Sequence, residues 1–148
     1  MKVYEAPLTA QLQETLIAMS AEWEGEHSCH GYRKNTPGDL VENRIFVAEE
    51  DGRILGYLFG HEEAAGKTTS IMAEHTRCFE VEELYVIPEK RNAGIGKALF
   101  CYAEVQAKVA GIRFLMVSTA TKDYRRILHF YIEELGMEFW SARLFKEL

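Results

Sequence analysis

Cysteine is scarce in this chain: Cys29, Cys78 and Cys101 are the only three among 148 residues. So small and odd a set, at these spacings, builds neither a disulfide framework nor a Cys-x-x-Cys metal pair, and ordinary thiols with no metal are expected. Positive charge is also short. Seventeen Lys and Arg face 23 Asp and Glu, for a net charge of −6. That balance argues against nucleic acid as a partner, because phosphates demand a basic face. It is compatible with a cationic small substrate. No apolar run is long enough to span a bilayer. The start, Met1-Lys2-Val3-Tyr4-Glu5-Ala6-Pro7, lacks the apolar core of a signal peptide. A cytoplasmic protein with no membrane partner is expected. No repeat or low-complexity segment appears.

What is present is an ordinary globular balance, 47% hydrophobic and 27% charged. The length suits a single domain over residues 1–148, able to bury a core without disulfides.

Periodicity divides the chain. Val3–Glu5 reads as a short strand, and Pro7–Ser20 carries Leu8, Leu12, Leu16, Ile17 and Met19 at helical spacing. Residues 21–40 read as a second short helix followed by a loop. Arg44–Glu50 and Arg53–His61 are strands joined by Asp51-Gly52, a strong hairpin signal. A loop fills 62–77. Cys78–Ile87 reads as a central strand ended by Pro88. Gly94–Val109 reads as a helix stopped near Gly111, Ile112–Ser118 as a buried strand, Asp123–Leu135 as a helix and Met137–Lys146 as a last strand. The order β-α-α-β-β-β-α-β-α-β implies an α/β fold with one mixed sheet flanked by helices.

The chemistry concentrates at Arg91-Asn92-Ala93-Gly94-Ile95-Gly96-Lys97, between the central strand and a helix. A helix start leaves backbone N–H groups unpaired, glycines let an anion approach them, and the helix dipole adds positive potential. Arg91 and Lys97 would supplement that potential. Two familiar phosphate motifs fail here. A P-loop needs Ser or Thr after Gly-Lys, but Ala98 follows Lys97, and Arg91 stands where its first glycine belongs. A dinucleotide fingerprint needs a small residue at the position of Leu99.

The remaining pattern, Arg91-x-x-Gly94-x-Gly96 after Leu84-Tyr85-Val86-Ile87-Pro88, resembles the acetyl-CoA signature of the GCN5-related N-acetyltransferases (GNAT). The resemblance covers roughly residues 44–140. It implies a GNAT-like fold with a V-shaped splay between the central strands. It also implies acetyl-CoA bound by Leu84, Tyr85, Val86, the turn Arg91 to Lys97, Thr119 and Arg126. Phe130-Tyr131, Leu135 and Gly136 match a second family element, with Met137 in place of its usual Phe. The match carries a general-acid role at the thioester sulfur to Tyr131. A plainer alternative is a packed helix tyrosine. Tyr124 departs from the family, where many relatives carry Asn.

An acceptor ammonium must lose a proton before attack, and Glu80, Glu82 and Glu83 are the nearby carboxylates. Glu82 occupies the position of the base proposed in polyamine-acetylating relatives. Glu80 and Glu82 share a face of a regular strand and Glu83 takes the other, unless a bulge upsets the parity. Solvated or ion-paired roles stay open for all three. His27-Ser28-Cys29-His30 matches no common zinc spacing. It can line the acceptor cleft with Trp23 and Tyr32, aromatics that can equally be core residues, Trp23 above all, and Phe139-Trp140 can be core or a homodimer contact.

The function implied is acetyl transfer from acetyl-CoA to a primary amine of a small molecule. Acetylation of a protein N-terminus or lysine, and a non-catalytic acyl-CoA sensor, are the alternatives. A closed acceptor pocket favours the small molecule over the protein.

Overall fold

A computed structural model describes residues 1–148. Five strands form one sheet in sequence order: β1 (Lys2–Glu5), β2 (Arg44–Glu50), β3 (Arg53–Ala64), β4 (Arg77–Val86) and β5 (Phe114–Val117). The first four pair antiparallel, and β4 with β5 is parallel. Helices α1 (Ala10–Gly25), α2 (Pro37–Leu40), α3 (Ile95–Val109) and α4 (Tyr124–Leu128) complete the fold, with a π-helical turn at His129–Glu134. The expected mixed α/β architecture is present. No helix is long and apolar enough to cross a membrane.

The β2–β3 hairpin turns at Asp51-Gly52, where both residues take positive φ, 50° and 77°. That handedness matches the strand twist, and glycine adopts it without Cβ strain. Helix α1 runs on past Ser20. Leu12, Leu16, Met19 and Trp23 continue one stripe at intervals of four, three and four, so the helix ends only at Gly25. The expected order within residues 21–40 is therefore reversed: the loop comes first, and short α2 follows it.

Two further expectations need correction. The helix expected over Asp123–Leu135 starts at Tyr124 and passes from α to π geometry at His129. The strand expected over Met137–Lys146 does not form. Phe139 and Trp140 are adjacent, as are Leu144 and Phe145, so no single apolar face exists for a strand to bury. All four are exposed. The tail touches the body where Trp140 Nε1 donates to Ser70 Oγ at 2.9 Å, and where the Phe145 ring meets His30 edge-on.

Alternation along β4 separates two layers. Tyr85 meets Trp23 of α1, with ring centroids 5.5 Å apart, while Val86 lies on the side of Leu99 in α3. The core between α3 and the sheet includes Phe46, Leu58, Leu99 and Phe100, all buried. The β3–β4 register slips between Phe59 and Gly60, leaving Glu82 as the extra residue of a bulge. Gly60 is required there, because a Cβ would fall 2.1 Å from the Glu80 carbonyl oxygen.

Candidate active site

Strands β4 and β5 pair only from Cys78–Val81 against Phe114–Val117. Beyond Val81 and Val117 they diverge, and the wedge between them opens into a cleft of about 440 Å³. Of the cofactor and catalytic residues drawn from the sequence, all but Ala93 border this cleft, and of the three candidate carboxylates Glu80 lies outside it. Its other borders include Trp23, Glu26, Ser28, Cys29, Phe130 and Glu134.

The wedge exposes backbone edge. Ile87 N–H donates to Leu55 O across β3 at 3.0 Å. By strand alternation, Leu84 and Val86 therefore turn their peptide groups toward the gap. The Arg91 Nε donating to Val86 O at 2.9 Å fits that direction. A chain of hydrogen-bonding groups can lie along this edge as an added strand would.

At one end of the wedge, Gly94 precedes α3 in the left-handed region, φ 79°. Its carbonyl accepts from Ala98 N–H at 2.9 Å. The N–H groups of Ile95, Gly96 and Lys97 thus form the open first turn of a 15-residue helix, where geometry and dipole suit an anion. Phe130 closes over Gly96, its ring 3.5 Å from where a Cβ would sit. Thr119 Oγ1 accepts from Thr121 N–H at 3.2 Å, and exposed Arg126 pairs with Asp123 at 3.2 Å, both at the cleft border. The Arg91 guanidinium is spent elsewhere: it holds Glu26 at 2.9 and 2.6 Å and lies over the Tyr85 ring.

The π turn presents Tyr131, which packs on Phe100 and Phe130. Its hydroxyl has no partner in the chain, and burial pushes its pKa up to about 12. It is therefore a neutral donor at the cleft at every physiological pH.

The carboxylates separate by environment. Glu82 is exposed at the bulge, with Oε1 3.4 Å from His61 Nδ1. Glu80 is part-buried beside Glu63 and Glu82, and burial first, then those charges, raise its pKa. Glu83 is inside the α1 layer. Its Oε2 accepts from Asn35 Nδ2 at 2.9 Å and from the Tyr57 hydroxyl at 2.8 Å. Its Oε1 makes no hydrogen bond in the chain. Burial raises the Glu83 pKa, partly offset by those hydrogen bonds. The Tyr32 hydroxyl is buried close to the same carboxylate yet outside hydrogen-bonding geometry. Asn35, Tyr57 and Glu26 carry no local sequence signal. They reach the site across 48, 26 and 65 residues of chain, from Glu83, Glu83 and Arg91 respectively.

This wedge, with its glycine-gated helix start on one side and a part-buried carboxylate on the other, agrees with sequence comparison. Residues 11–137 match the family described as the acetyltransferase (GNAT) family. The chain belongs to the GNAT acetyltransferases. That family uses acetyl-CoA as its acyl donor. No curated protein matches the chain by sequence. Among solved structures, this GNAT domain is similar to an aminoglycoside acetyltransferase from an uncultured soil metagenomic sample, at TM-score 0.70 and 19% identity over 100% of this chain and 99% of the other. It is also similar to a transcriptional regulator from Bacillus halodurans C-125 (0.72, 23%, 99% and 100%) and to a ribosomal-protein-alanine N-acetyltransferase from Brucella melitensis biovar Abortus 2308 (0.66, 15%, 99% and 100%). At these identities the likeness is one of fold.

Proposed function

We propose that the chain is a cytoplasmic enzyme that transfers the acetyl group of acetyl-CoA to a primary amine of a small molecule, by direct attack in a ternary complex. The observation that carries this reading is the wedge itself. It joins an open helix start, an unpaired stretch of backbone edge, an unpartnered tyrosine hydroxyl and a part-buried carboxylate in one cleft.

The pyrophosphate is held by the N–H groups of Ile95, Gly96 and Lys97, with Asn92, Lys97 and Arg126 at the border. The pantetheine arm runs along Leu84 to Val86 and past Thr119. Glu83 Oε1 takes one proton from the acceptor ammonium, and the freed amine attacks the thioester carbon. A gap-facing N–H of Leu84 or Val86 stabilises the oxyanion. Collapse breaks the C–S bond, and Tyr131 supports the departing thiolate. A phenol near 12 is a weaker acid than a thiol of about 8.5. Tyr131 therefore acts first as a hydrogen-bond donor to sulfur, and the amine's second proton returns to it through solvent. Glu83 is preferred to Glu82 as the base because it is part-buried at the cleft border with Asn35 and Tyr57 orienting its Oε2, whereas Glu82 is exposed, with His61 3.4 Å away.

Ser28 and Cys29 at the cleft border, with Cys29 paired to Thr121, support a small acceptor rather than a protein segment. The exposed Phe139 and Trp140 support a homodimer contact, which sedimentation of the full chain tests: a monomer across the micromolar range discards it.

The main test is thermal: millimolar acetyl-CoA should raise the melting temperature. No shift sinks the cofactor reading. A panel of amines followed by free-thiol release then identifies the acceptor, and binding without thiol release from any amine would leave a sensor.

A further inference from the structure

Arg91 would serve a phosphate if its guanidinium were free, but three of its five N–H donors are engaged within the chain and its charge is paired with a carboxylate. Nη1 and Nη2 grip both oxygens of Glu26 at 2.9 and 2.6 Å, and Nε holds Val86 O at 2.9 Å. The two side chains are 27% and 24% exposed, so water competes only in part for this bidentate pair. The Tyr85 hydroxyl adds a third hold on Glu26 at 3.2 Å. Trp23, one turn earlier in α1, stacks on Tyr85 and donates from Nε1 to Ser28 Oγ at 3.1 Å.

The segment after Glu26 then leaves the β4 limb of the wedge and crosses to the β5 side. Cys29 pairs antiparallel with Thr121. His30 N–H donates to Ala120 O, and Lys122 N–H donates to Ser28 O, each at 2.9 Å. Residues 27–30 are thus a strap fastened at both limbs. One end is held by Glu26 on Tyr85 and Arg91, the other by a two-bond ladder on residues 120–122. His27 takes φ 51°, a left-handed turn uncommon for a side-chain-bearing residue, immediately after the anchored end. A turn of that kind persists only where its flanks are held.

We infer that Glu26 is a positioning residue that fixes the strap across the wedge by engaging Arg91 and Tyr85, and that the Arg91 side chain anchors this strap instead of binding phosphate. The inference rests on the acetyl-transfer reading only for its bearing on catalysis; the anchoring itself is a property of the free chain. The strap sets where Trp23, Ser28 and Cys29 stand along the cleft, and so shapes the wall beside the reacting atoms.

The test compares the full-length wild type, Glu26→Gln and Glu26→Asp by amide hydrogen exchange without ligand. In Glu26→Gln the amides of His30 and Lys122 should exchange about tenfold faster, as loss of a charge-assisted contact lowers the cost of local opening. The amides of β3 should be unchanged, and Glu26→Asp, which keeps the charge, should restore most of the protection. Equal exchange at His30 and Lys122 in wild type and Glu26→Gln overturns the inference. Coenzyme A is the second probe, titrated by calorimetry. Arg91→Gln should bind it within about threefold of wild type, since no phosphate contact is lost. A tenfold or greater loss, with strap exchange unchanged, overturns the inference by making Arg91 a phosphate ligand. A wild-type chain that fails to bind coenzyme A rejects the acetyl-transfer reading and leaves the exchange comparison valid.

Discussion

The Glu83 carboxylate meets the Tyr57 hydroxyl at 2.8 Å, and this bond, with the one from Asn35, occupies a single oxygen. The arrangement orients the group while leaving Oε1 for a proton. Replacing it by an amide keeps the shape and removes the basicity. Glu83→Gln should lower kcat by about 10²-fold, the usual scale of one general base, with acetyl-CoA affinity held. Steady-state kinetics with the acceptor from the amine panel checks this; unchanged kcat removes Glu83 from the reaction.

The raised Glu83 pKa has two consequences for pH. Activity requires the ionised form, so the acid limb of kcat/KM should lie above the ordinary carboxylate value of about 4.3. Stability runs the other way. A folded pKa above the unfolded one means the fold favours the protonated carboxyl. That contribution is complete below about 4.3 and is lost as pH rises through the folded pKa. The stability of Glu83→Gln relative to wild type should therefore increase with pH across that window. Urea denaturation at a series of pH values reads this, and a flat difference contradicts the shift.

Tyr131→Phe should reduce turnover by about 10²-fold with little change in cofactor affinity, since the ring still packs on Phe100. With the hydroxyl pKa near 12, wild-type activity should show no loss from its ionisation up to pH 10. A basic limb below that value, absent in Tyr131→Phe, would contradict the burial of this group.

The two glycines of the turn should part company. Gly94 sits at φ 79°, so Gly94→Ala forces a side chain into the left-handed region at about 1 kcal/mol of stability. Gly96 is helical, and its added Cβ would meet Phe130 at an ordinary 3.5 Å. Gly96→Ala should keep its stability and still weaken acetyl-CoA binding, because the methyl group shields the first-turn donors. Denaturation and calorimetry on both variants separate the effects.

At the bulge, Gly60→Ala places a Cβ 2.1 Å from Glu80 O and 2.9 Å from the Phe79 ring. A backbone clash of this kind cannot relax through a rotamer. A loss of about 3 kcal/mol is expected, and normal stability would mean that β3 and β4 can repair their register.

Strand and helix identity was legible wherever one period ruled a segment. The β2–β3 hairpin carried its turn residues Asp51-Gly52, and α3 its apolar stripe, so both were placed from residue types alone. The turn at Gly94 to Lys97 was legible for the same reason: its chemistry is backbone chemistry, written in the glycines. Met137–Lys146 misled because its β-prone residues lie in adjacent pairs, and a strand exists only when a partner and a single buried face are available.

Residue types alone were therefore enough for what is local: most of the elements, the glycine-rich turn and the family they mark. Only the tertiary structure decided how the carboxylates differ, because burial and hydrogen bonding set their basicity, and these come from Asn35 and Tyr57, far along the chain. It also decided what Arg91 touches. A charge next to a glycine-rich turn reads as a phosphate ligand until folding brings Glu26 within 2.6 Å of it, and a guanidinium gripped bidentately by a carboxylate has three of its five N–H donors engaged and its charge already paired.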